Sequence, residues 1–406
     1  MTHSTDLTQI HQVLTRGVAQ VLPDVSGLEK LMLERPIRLY LGIDPTGAFL
    51  HLGHAVALRK LQQFAELGHQ VILLIGNGTV KIGDPTGRDA SRPMLTDAEI
   101  EQNFIDWKSQ ASKVLDFSLI EIRRNGDWLD QLKMPEIIKL MAKTTVQQLI
   151  ERDMFQQRIK SGRPIFGHEI MYPLLQGYDS VAMDVDLEIG GTDQTFNMMM
   201  GRQLLDAYKQ KQKWVLSTPI IDGTDGRKMS KSFNNFVGLT EAAPDMYAKL
   251  MRVSDQVIAT YFRVLTDLPD SQIDEMETEI SQGENPIGYK KQLALAITEW
   301  LHSPEAAKAA ATEFEQLVQQ KQLPTEMPEI QIAASEMPLL ELLKKCQPTT
   351  SSSDLRRLID QGGIGLIAAG ETVEHQQIQQ NPLATIEIKS GMIVRIGKRS
   401  YFKLRN

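Results

Sequence analysis

The stretch Leu39–Gly68, LYLGIDPTGAFLHLGHAVALRKLQQFAELG, decides how this chain is read. Leu39, Tyr40, Leu41 and Ile43 form a short apolar run that stops at Asp44-Pro45-Thr46-Gly47, a cluster of turn formers. From Leu52 onward, Ala55, Leu58, Leu61 and Ala65 recur at helical spacing, and Gly68 ends the run. Strand, loop and helix are expected in that order. A helix that begins within His51-Leu52-Gly53-His54 points unsatisfied N–H groups and the positive end of its dipole at the rim of a sheet, where phosphate binds. Gly53 has no side chain, so a ligand can lie against that first turn. Taken alone, two histidines in a first helical turn are more often surface or capping residues than catalytic ones. One Cys and eight His in the whole sequence leave no clustered third and fourth ligand, so no metal site is expected.

The following segments repeat the pattern. Gln70–Ile75, QVILLI, is a nearly continuous apolar run, as a parallel strand covered on both faces requires. Strand, helix, strand begins a doubly wound α/β sheet, whose ligands sit beyond the carboxyl ends of the strands. The loop from Gly76 to Gly87 resembles a phosphate loop but matches neither the P-loop nor the dinucleotide pattern. Asp-Pro-Thr-Gly occurs at 44–47 and again at 84–87, setting Asp44 and Asp84 at one rim, either as turn residues or as carboxylates for a substrate ammonium. Tyr172, Gln176 and Asp179 fall on one helical face, which reads as a lined pocket or as a buried hydrogen-bonded network. A strand over residues 184–189 opens into Gly190-Gly191-Thr192-Asp193-Gln194 and a methionine-rich helix, the methionines reading as core filler. The last strand of the sheet, over residues 215–221, leads through a glycine turn into Lys228-Met229-Ser230-Lys231-Ser232. Two lysines and two serines on such a loop could close over a triphosphate, although alone the segment reads as an ordinary basic loop.

At 406 residues and 42% hydrophobic content, the chain can bury a large core and divide into several domains. No apolar run is long enough for a membrane span, and MTHSTDLTQIHQ lacks the basic and apolar regions of a signal peptide, so a soluble cytoplasmic protein is expected. The lone Cys346 excludes an intramolecular disulfide framework. Charge is uneven: residues 347–406 carry +3 and the remainder −10, which suggests a polyanion met at the C-terminal end. Residues 1–36 read as mainly helical, with Ile10, Val13, Leu14, Val18 and Val21 along one face. Residues 96–160 and 240–322 are also largely helical, and residues 324–338, with Pro324, Pro328 and Pro338, read as a linker. Near the C-terminal end, Ser351–Gly363 is a capped helix, and Gly397–Asn406 interleaves bases with aromatics as RNA-contacting surfaces do.

Together, His51-Leu-Gly-His54 and Lys228-Met-Ser-Lys-Ser232, in that order on a doubly wound sheet, resemble the two ATP-binding motifs of class I aminoacyl-tRNA synthetases. Within that class the chain resembles the bacterial tyrosyl-tRNA synthetases over nearly its whole length. The likeness rests on Tyr40 with Asp44-Pro45-Thr46, Gly83-Asp84-Pro85, Tyr172-x-x-x-Gln176-x-x-Asp179, Gly190–Gln194, and a C-terminal segment similar to the S4 RNA-binding domain. Thr195-Phe196 departs from the Trp-Gly that many members carry, which puts the local packing of the ribose pocket in question.

The resemblance implies a Rossmann-like catalytic domain over 1–222, the lysine loop over 223–239, a helical tRNA-binding domain over 240–323, a linker over 324–338 and an S4-like domain over 339–406. It implies activation of L-tyrosine by ATP, with Mg2+, and transfer of the tyrosyl group to tRNA(Tyr), in a homodimer away from membranes and without a tightly bound cofactor. By position, Thr46, His51, His54, Lys228 and Lys231 would stabilise the reacting phosphates. Gly42, Asp44, Gly53, Gly191, Asp193, Met229, Ser230 and Ser232 would complete the ATP site. Asp84, Tyr172, Gln176 and Gln194 would hold the amino acid, with Tyr40 and Asp179 on its phenol. Phenylalanine would leave those buried groups unpaired, an effect for which tyrosyl enzymes are the standard example. Arg356, Arg357, Lys398 and Arg399 would meet RNA. The alternatives are a tryptophanyl enzyme, a non-catalytic RNA-binding protein and a small-molecule nucleotidyltransferase.

Overall fold

Six strands make the central sheet: β1 (Gln20–Leu22), β2 (Arg38–Ile43), β3 (Gln70–Ile75), β4 (Ile120–Arg124), β5 (Leu187–Gly191) and β6 (Trp214–Thr218). The computed structural model of the chain describes residues 3–47, 49–86, 95–230, 233–316, 323, 327–371, 373–397 and 400–405. Of the residues singled out above, Gly87, Lys231, Ser232, Pro324, Lys398, Arg399 and Asn406 lie outside them. The strand order is β1-β6-β5-β2-β3-β4, with β1 antiparallel to β6 and every other pair parallel. In β3, Val71 to Ile75 are all buried, as a strand covered on both faces must be.

The helix Leu52–Glu66 joins β2 to β3, and Leu52, Ala55, Leu58 and Leu61 along its inner stripe are completely buried. The chain turns back into β3 through Gly68, whose φ of +80° suits glycine. On the other side, the helix Thr195–Lys209 joins β5 to β6 and packs against the helix Gly167–Met183. That approach is close at Gly177, where an added Cβ would stand 2.8 Å from Leu204 Cδ1 and 3.1 Å from the Gly201 nitrogen.

Several elements differ from the sequence reading. The first helix is Leu7–Thr15 alone. The chain reverses at Gly17 (φ +64°), and Val18 and Val21 leave the helical face; Val21, β-branched, lies in β1 opposite Leu216. Asp184 closes the preceding helix in a left-handed conformation, which delays β5 to Leu187, and β6 ends at Thr218 before Pro219.

Contacts divide the chain into two compact units, Met1–Ser303 and Pro304–Asn406. The helices Ala243–Leu250, Ile258–Leu265, Asp270–Ser281 and Ile287–Leu301 belong to the first unit together with the sheet, so the division expected at residue 240 falls inside it. In the second unit, β7 (Glu329–Gln331) and β8 (Glu336–Pro338) form within the segment expected as a linker. They are followed by β9 (Ile364–Ile367), β10 (Gln377–Gln379), β11 (Thr385–Glu387), β12 (Ile393–Ile396) and β13 (Ser400–Arg405). One sheet runs β10-β9-β12-β13-β7 and a second pairs β11 with β8. Leu339, Leu342, Leu355, Ile359, Val394 and Leu404 fill the core between sheet and helices. The terminal run of bases and aromatics lies in β13: Tyr401 and Leu404 pack into separate buried clusters on opposite faces, while Lys403 and Arg405 are exposed and both pair with Glu329.

Replacing Gly177 by Ala forces the Gly167–Met183 and Thr195–Lys209 helices apart. We expect a loss of about 1–3 kcal/mol, read as a lower thermal unfolding midpoint.

Candidate active site

A cavity of about 390 Å³ opens at the carboxyl ends of the parallel strands. Tyr40, Gly42, Asp44, Thr46, His51, Gly53, His54, Asp84, Tyr172, Gln176, Asp179, Gly191, Asp193, Gln194, Lys228 and Met229 all line it. Residues spread over some 190 positions of sequence thus meet around one volume. Ser230 lies beside this wall rather than on it. Arg356 and Arg357 are exposed on the helix Ser352–Asp360 of the second unit, where Arg357 pairs with Asp354 at 2.9 Å.

His51 is the N-cap of the Leu52–Glu66 helix. Its Nδ1 accepts from the Gly53 N–H at 3.2 Å, and its own N–H donates to His54 Nδ1 at 3.2 Å. The two histidines thereby replace the usual Ser/Thr and Glu of a capping box. A ring nitrogen that accepts carries no proton, so each ring keeps its proton on Nε2. The ring centroids are 3.9 Å apart. His51 is also a structural link: its backbone bridges Gly238, Leu52 N–H donates to Val237 O at 2.9 Å, and Leu239 N–H donates to Leu50 O at 3.0 Å. The segment after the lysine loop is therefore hydrogen-bonded to the start of the histidine helix.

The loop preceding Lys231 is held by Asn235, which sequence reading passed over. Its side-chain NH2 donates to Asp225 Oδ1 (2.6 Å) and to the carbonyls of Arg227 (3.1 Å) and Lys228 (3.2 Å), while its Oδ1 accepts from Ser230 N–H at 2.8 Å. The bond from Asn235, with the side chain, backbone N–H and charge of the adjacent Arg227, lowers the Asp225 carboxyl to about 2. Lys228 Nζ, more than half exposed, pairs with Asp193 Oδ2 at 2.9 Å.

Deeper in the cavity the polar groups interlock. Asp44 accepts from Tyr172 OH at 2.8 Å and from Thr79 Oγ1 at 2.7 Å, and Gly76 leaves it room, since a Cβ there would lie 2.0 Å from Asp44 Oδ1. Asp84 accepts from Thr86 and, at 2.8 Å, from Gln194 Nε2. Asp179 is buried, with Asn125 Nδ2 at 3.1 Å and Trp128 Nε1 at 2.8 Å; burial pushes its carboxyl well above the ordinary range, against the pull of these two donors. Asn125, like Asp44, stands just past the end of a strand, a placement that could have flagged it. Tyr40 is fully buried with its hydroxyl 3.0 Å from Ser180 Oγ, and Gln176 donates its amide to Glu188 Oε1 at 3.1 Å. The remaining Gln176 atom, Oε1, is buried without a hydrogen-bond partner among the described residues.

Phe196 stands at the departure at 195–196. It packs against the Leu174 and Leu204 cluster, with the Arg152 guanidinium 5.1 Å from its ring centre, and does not line the cavity. Among the described residues, no group of three or more His, Cys, Asp or Glu side chains is placed to hold a metal ion, and no helix is long and apolar enough to cross a membrane.

Comparison with known proteins agrees with this geometry. Residues 32–319 match the family model of class I tRNA synthetases (W and Y). A tyrosine–tRNA ligase of Thermotoga maritima is 40% identical over 395 residues, covering 97% of this chain and 96% of that protein. The tyrosine–tRNA ligase of Shewanella oneidensis is 40% identical over 401 residues, covering 98% and 99%. In fold, the chain is similar to a C-terminally truncated mitochondrial tyrosyl-tRNA synthetase of Aspergillus nidulans (TM-score 0.64, 21% identity, 76% of this chain and 94% of that one). It is similar also to an Archaeoglobus fulgidus tyrosyl-tRNA synthetase complexed with L-tyrosine (TM-score 0.60, 21% identity, 75% and 100%). By the extent of the family match and by identity over nearly its full length, the chain belongs to the class I tRNA synthetases, among the tyrosine–tRNA ligases.

Proposed function

We propose that the chain activates L-tyrosine with ATP and transfers the tyrosyl group to tRNA(Tyr). The observation that carries this reading is that one cavity is lined both by the histidine turn with Lys228 and by the buried polar set around Tyr40, Gln176 and Asp179. In the first step a carboxylate oxygen of tyrosine attacks the α-phosphorus. The bond from that phosphorus to the bridging oxygen breaks, and pyrophosphate leaves. In the second step a terminal ribose hydroxyl of the tRNA attacks the tyrosyl carbonyl, and AMP departs.

Two anions must meet in the first step, so the protein supplies positioning and positive electrostatics. The Nε2–H groups of His51 and His54, at the positive end of a helix, are donors for the phosphate oxygens. Thr46 stands on the same rim, and Gly42, Gly53 and Gly191 let the nucleotide approach the backbone. Lys228, followed in sequence by Met229, Ser230, Lys231 and Ser232, would neutralise the departing pyrophosphate, while Asp193 and Gln194 take the ribose and substrate. Mg2+ belongs to the nucleotide as substrate and is given no step here.

For the amino acid, the unpartnered Gln176 Oε1 is an acceptor for an ammonium, alongside Tyr172 and Asp84. Tyr40 and Asp179 would pair with the phenolic hydroxyl. Arg356 and Arg357, with Lys398 and Arg399, would meet the tRNA backbone, and a role in translation places the protein in the cytoplasm. Homodimerisation is supported by the helix Met134–Met141, whose Met134, Ile138 and Met141 share one face and are 68%, 59% and 47% exposed, with Val146 at 62% nearby.

Pyrophosphate exchange into ATP should require tyrosine; exchange only with tryptophan, or none, refutes the assignment. Tyr40→Phe is expected to reduce the preference for tyrosine over phenylalanine about tenfold, measured as the ratio of kcat/KM in that assay. Asn235→Ala should speed hydrogen exchange over residues 223–230 by about tenfold or more and slow adenylate formation, with the unfolding midpoint nearly unchanged. Ile138→Glu should shift the species seen in sedimentation velocity from dimer to monomer.

A further inference from the structure

Lys213 and Glu188 form an ion pair with side chains 0% and 2% exposed, in which Glu188 lines the cavity together with Tyr40 and Gln176 and Lys213 does not. Neither residue appears in the roles set out above. Burying such a pair carries a desolvation penalty that its Coulombic attraction offsets only when the remaining donors and acceptors are satisfied. Here they are. Lys213 Nζ donates to Glu188 Oε2, to Ser180 Oγ at 2.8 Å and to the Met198 carbonyl at 3.1 Å, using all three of its protons. Glu188 Oε1 accepts from Gln176 Nε2 at 3.1 Å, and Ser180 Oγ stands 3.0 Å from the Tyr40 hydroxyl.

Two arms therefore run from the pair into the cavity wall. Through Glu188, the NH2 group of Gln176 is held back, which turns its Oε1, buried and unpartnered, to the opposite side. Through Ser180, the Tyr40 hydroxyl is pinned at the other end of the same wall, and the Lys213 ammonium also lies 5.8 Å from the centre of the Tyr40 ring. The seat of the ammonium is made by a glycine: a Cβ on Gly201 would stand 2.5 Å from Lys213 Nζ and 2.7 Å from Ser180 Oγ.

We infer that the Lys213–Glu188 pair is the positioning device of the amino-acid pocket, orienting Gln176 toward the substrate ammonium and Tyr40 toward its phenol through Ser180. The inference rests on the tyrosine reading and adds to it. The two arms make separable claims. The Gln176 arm serves any α-amino acid, whereas the Tyr40 arm serves only one with a phenolic hydroxyl.

The test is pyrophosphate exchange with tyrosine and with phenylalanine, at varied amino acid and varied ATP, on three proteins: wild type, Ser180→Ala and the double variant Glu188→Leu/Lys213→Met. The double variant replaces the pair by apolar groups and leaves no orphaned charge, a change that buried pairs commonly tolerate. Ser180→Ala should lower kcat/KM for tyrosine about tenfold and leave that for phenylalanine unchanged. The double variant should raise KM for both amino acids about tenfold and also reduce the tyrosine-to-phenylalanine ratio, with KM for ATP unmoved. A loss of activity that is equal for tyrosine, phenylalanine and ATP parameters marks a merely structural role and overturns the inference. Wild-type KM values and ratios in the variants overturn it as well, and leave the ligase reading standing. If the double variant does not fold, Ser180→Ala alone decides, since an unchanged tyrosine-to-phenylalanine ratio refutes the Tyr40 arm. A wild type without tyrosine-dependent exchange overturns the ligase reading itself, and this role with it.

Discussion

The site exists because the strand order reverses. A parallel strand–helix–strand connection is right-handed, so the β2-to-β3 crossover and the β5-to-β6 crossover, which run in opposite directions along the sheet, send their helices to opposite faces. Between β2 and β5 neither helix covers the carboxyl ends, and a crevice opens there. Many of the groups at the cavity are delivered from that edge, while Tyr172, Gln176 and Asp179 come from the helix Gly167–Met183. His51 and Asp44 follow β2, Thr79 and Asp84 follow β3, Asn125 follows β4, Asp193 follows β5 and Lys228 follows β6.

This crevice is also electrically graded. Its deep end gathers the carboxyl groups of Asp44, Asp179 and Glu188, with amide, hydroxyl and indole donors and the Lys213 ammonium between them. Its open end presents His51, His54 and Lys228. The cationic groups at the open end favour polyanionic phosphate there. Under the proposed function the phenol of the amino acid would lie at Tyr40 and Asp179, its ammonium at Asp84, Tyr172 and Gln176, and its carboxylate toward the nucleotide at the open end, as adenylation requires.

How much of this could be read from the sequence depended on whether a residue's environment was local. The β2–loop–helix unit was legible because apolar spacing and turn formers sit side by side in Leu39–Gly68, and β3 because five consecutive apolar residues, Val71 to Ile75, admit few other readings. β1 and β7 were not, since three-residue strands are specified by the edge they pair with, and those edges lie far away in sequence. The site residues carried by motifs were legible for the same reason as the motifs. Glu188 and Lys213 were not: a glutamate within a short strand and a lysine in the run Lys209–Lys213 look like surface residues until folding buries them against each other. Asn235 was hidden likewise, because its four partners become visible only when the loop closes on itself. Phe196 was legible as a departure, but its direction of packing followed from Arg152, some 44 residues earlier.

The pairing of Lys228 with Asp193 joins two groups that the proposed chemistry needs apart. Both side chains are substantially exposed, at 55% and 33%, so water screens their attraction, and pairs of this kind contribute about 0–1 kcal/mol. A triphosphate carries several charges and offers more acceptors to the same ammonium, so exchange of Asp193 for phosphate on Lys228 is downhill. Under the proposed function the exchange would free the Asp193 carboxylate for the ribose. The segment itself is held by the Asn235 bonds, so the weak ion pair only orients the Lys228 side chain and would yield to a bound nucleotide. A stronger, buried pair at this position would hold the lysine in place equally well but would resist that replacement, which is a physical reason for leaving it in solvent.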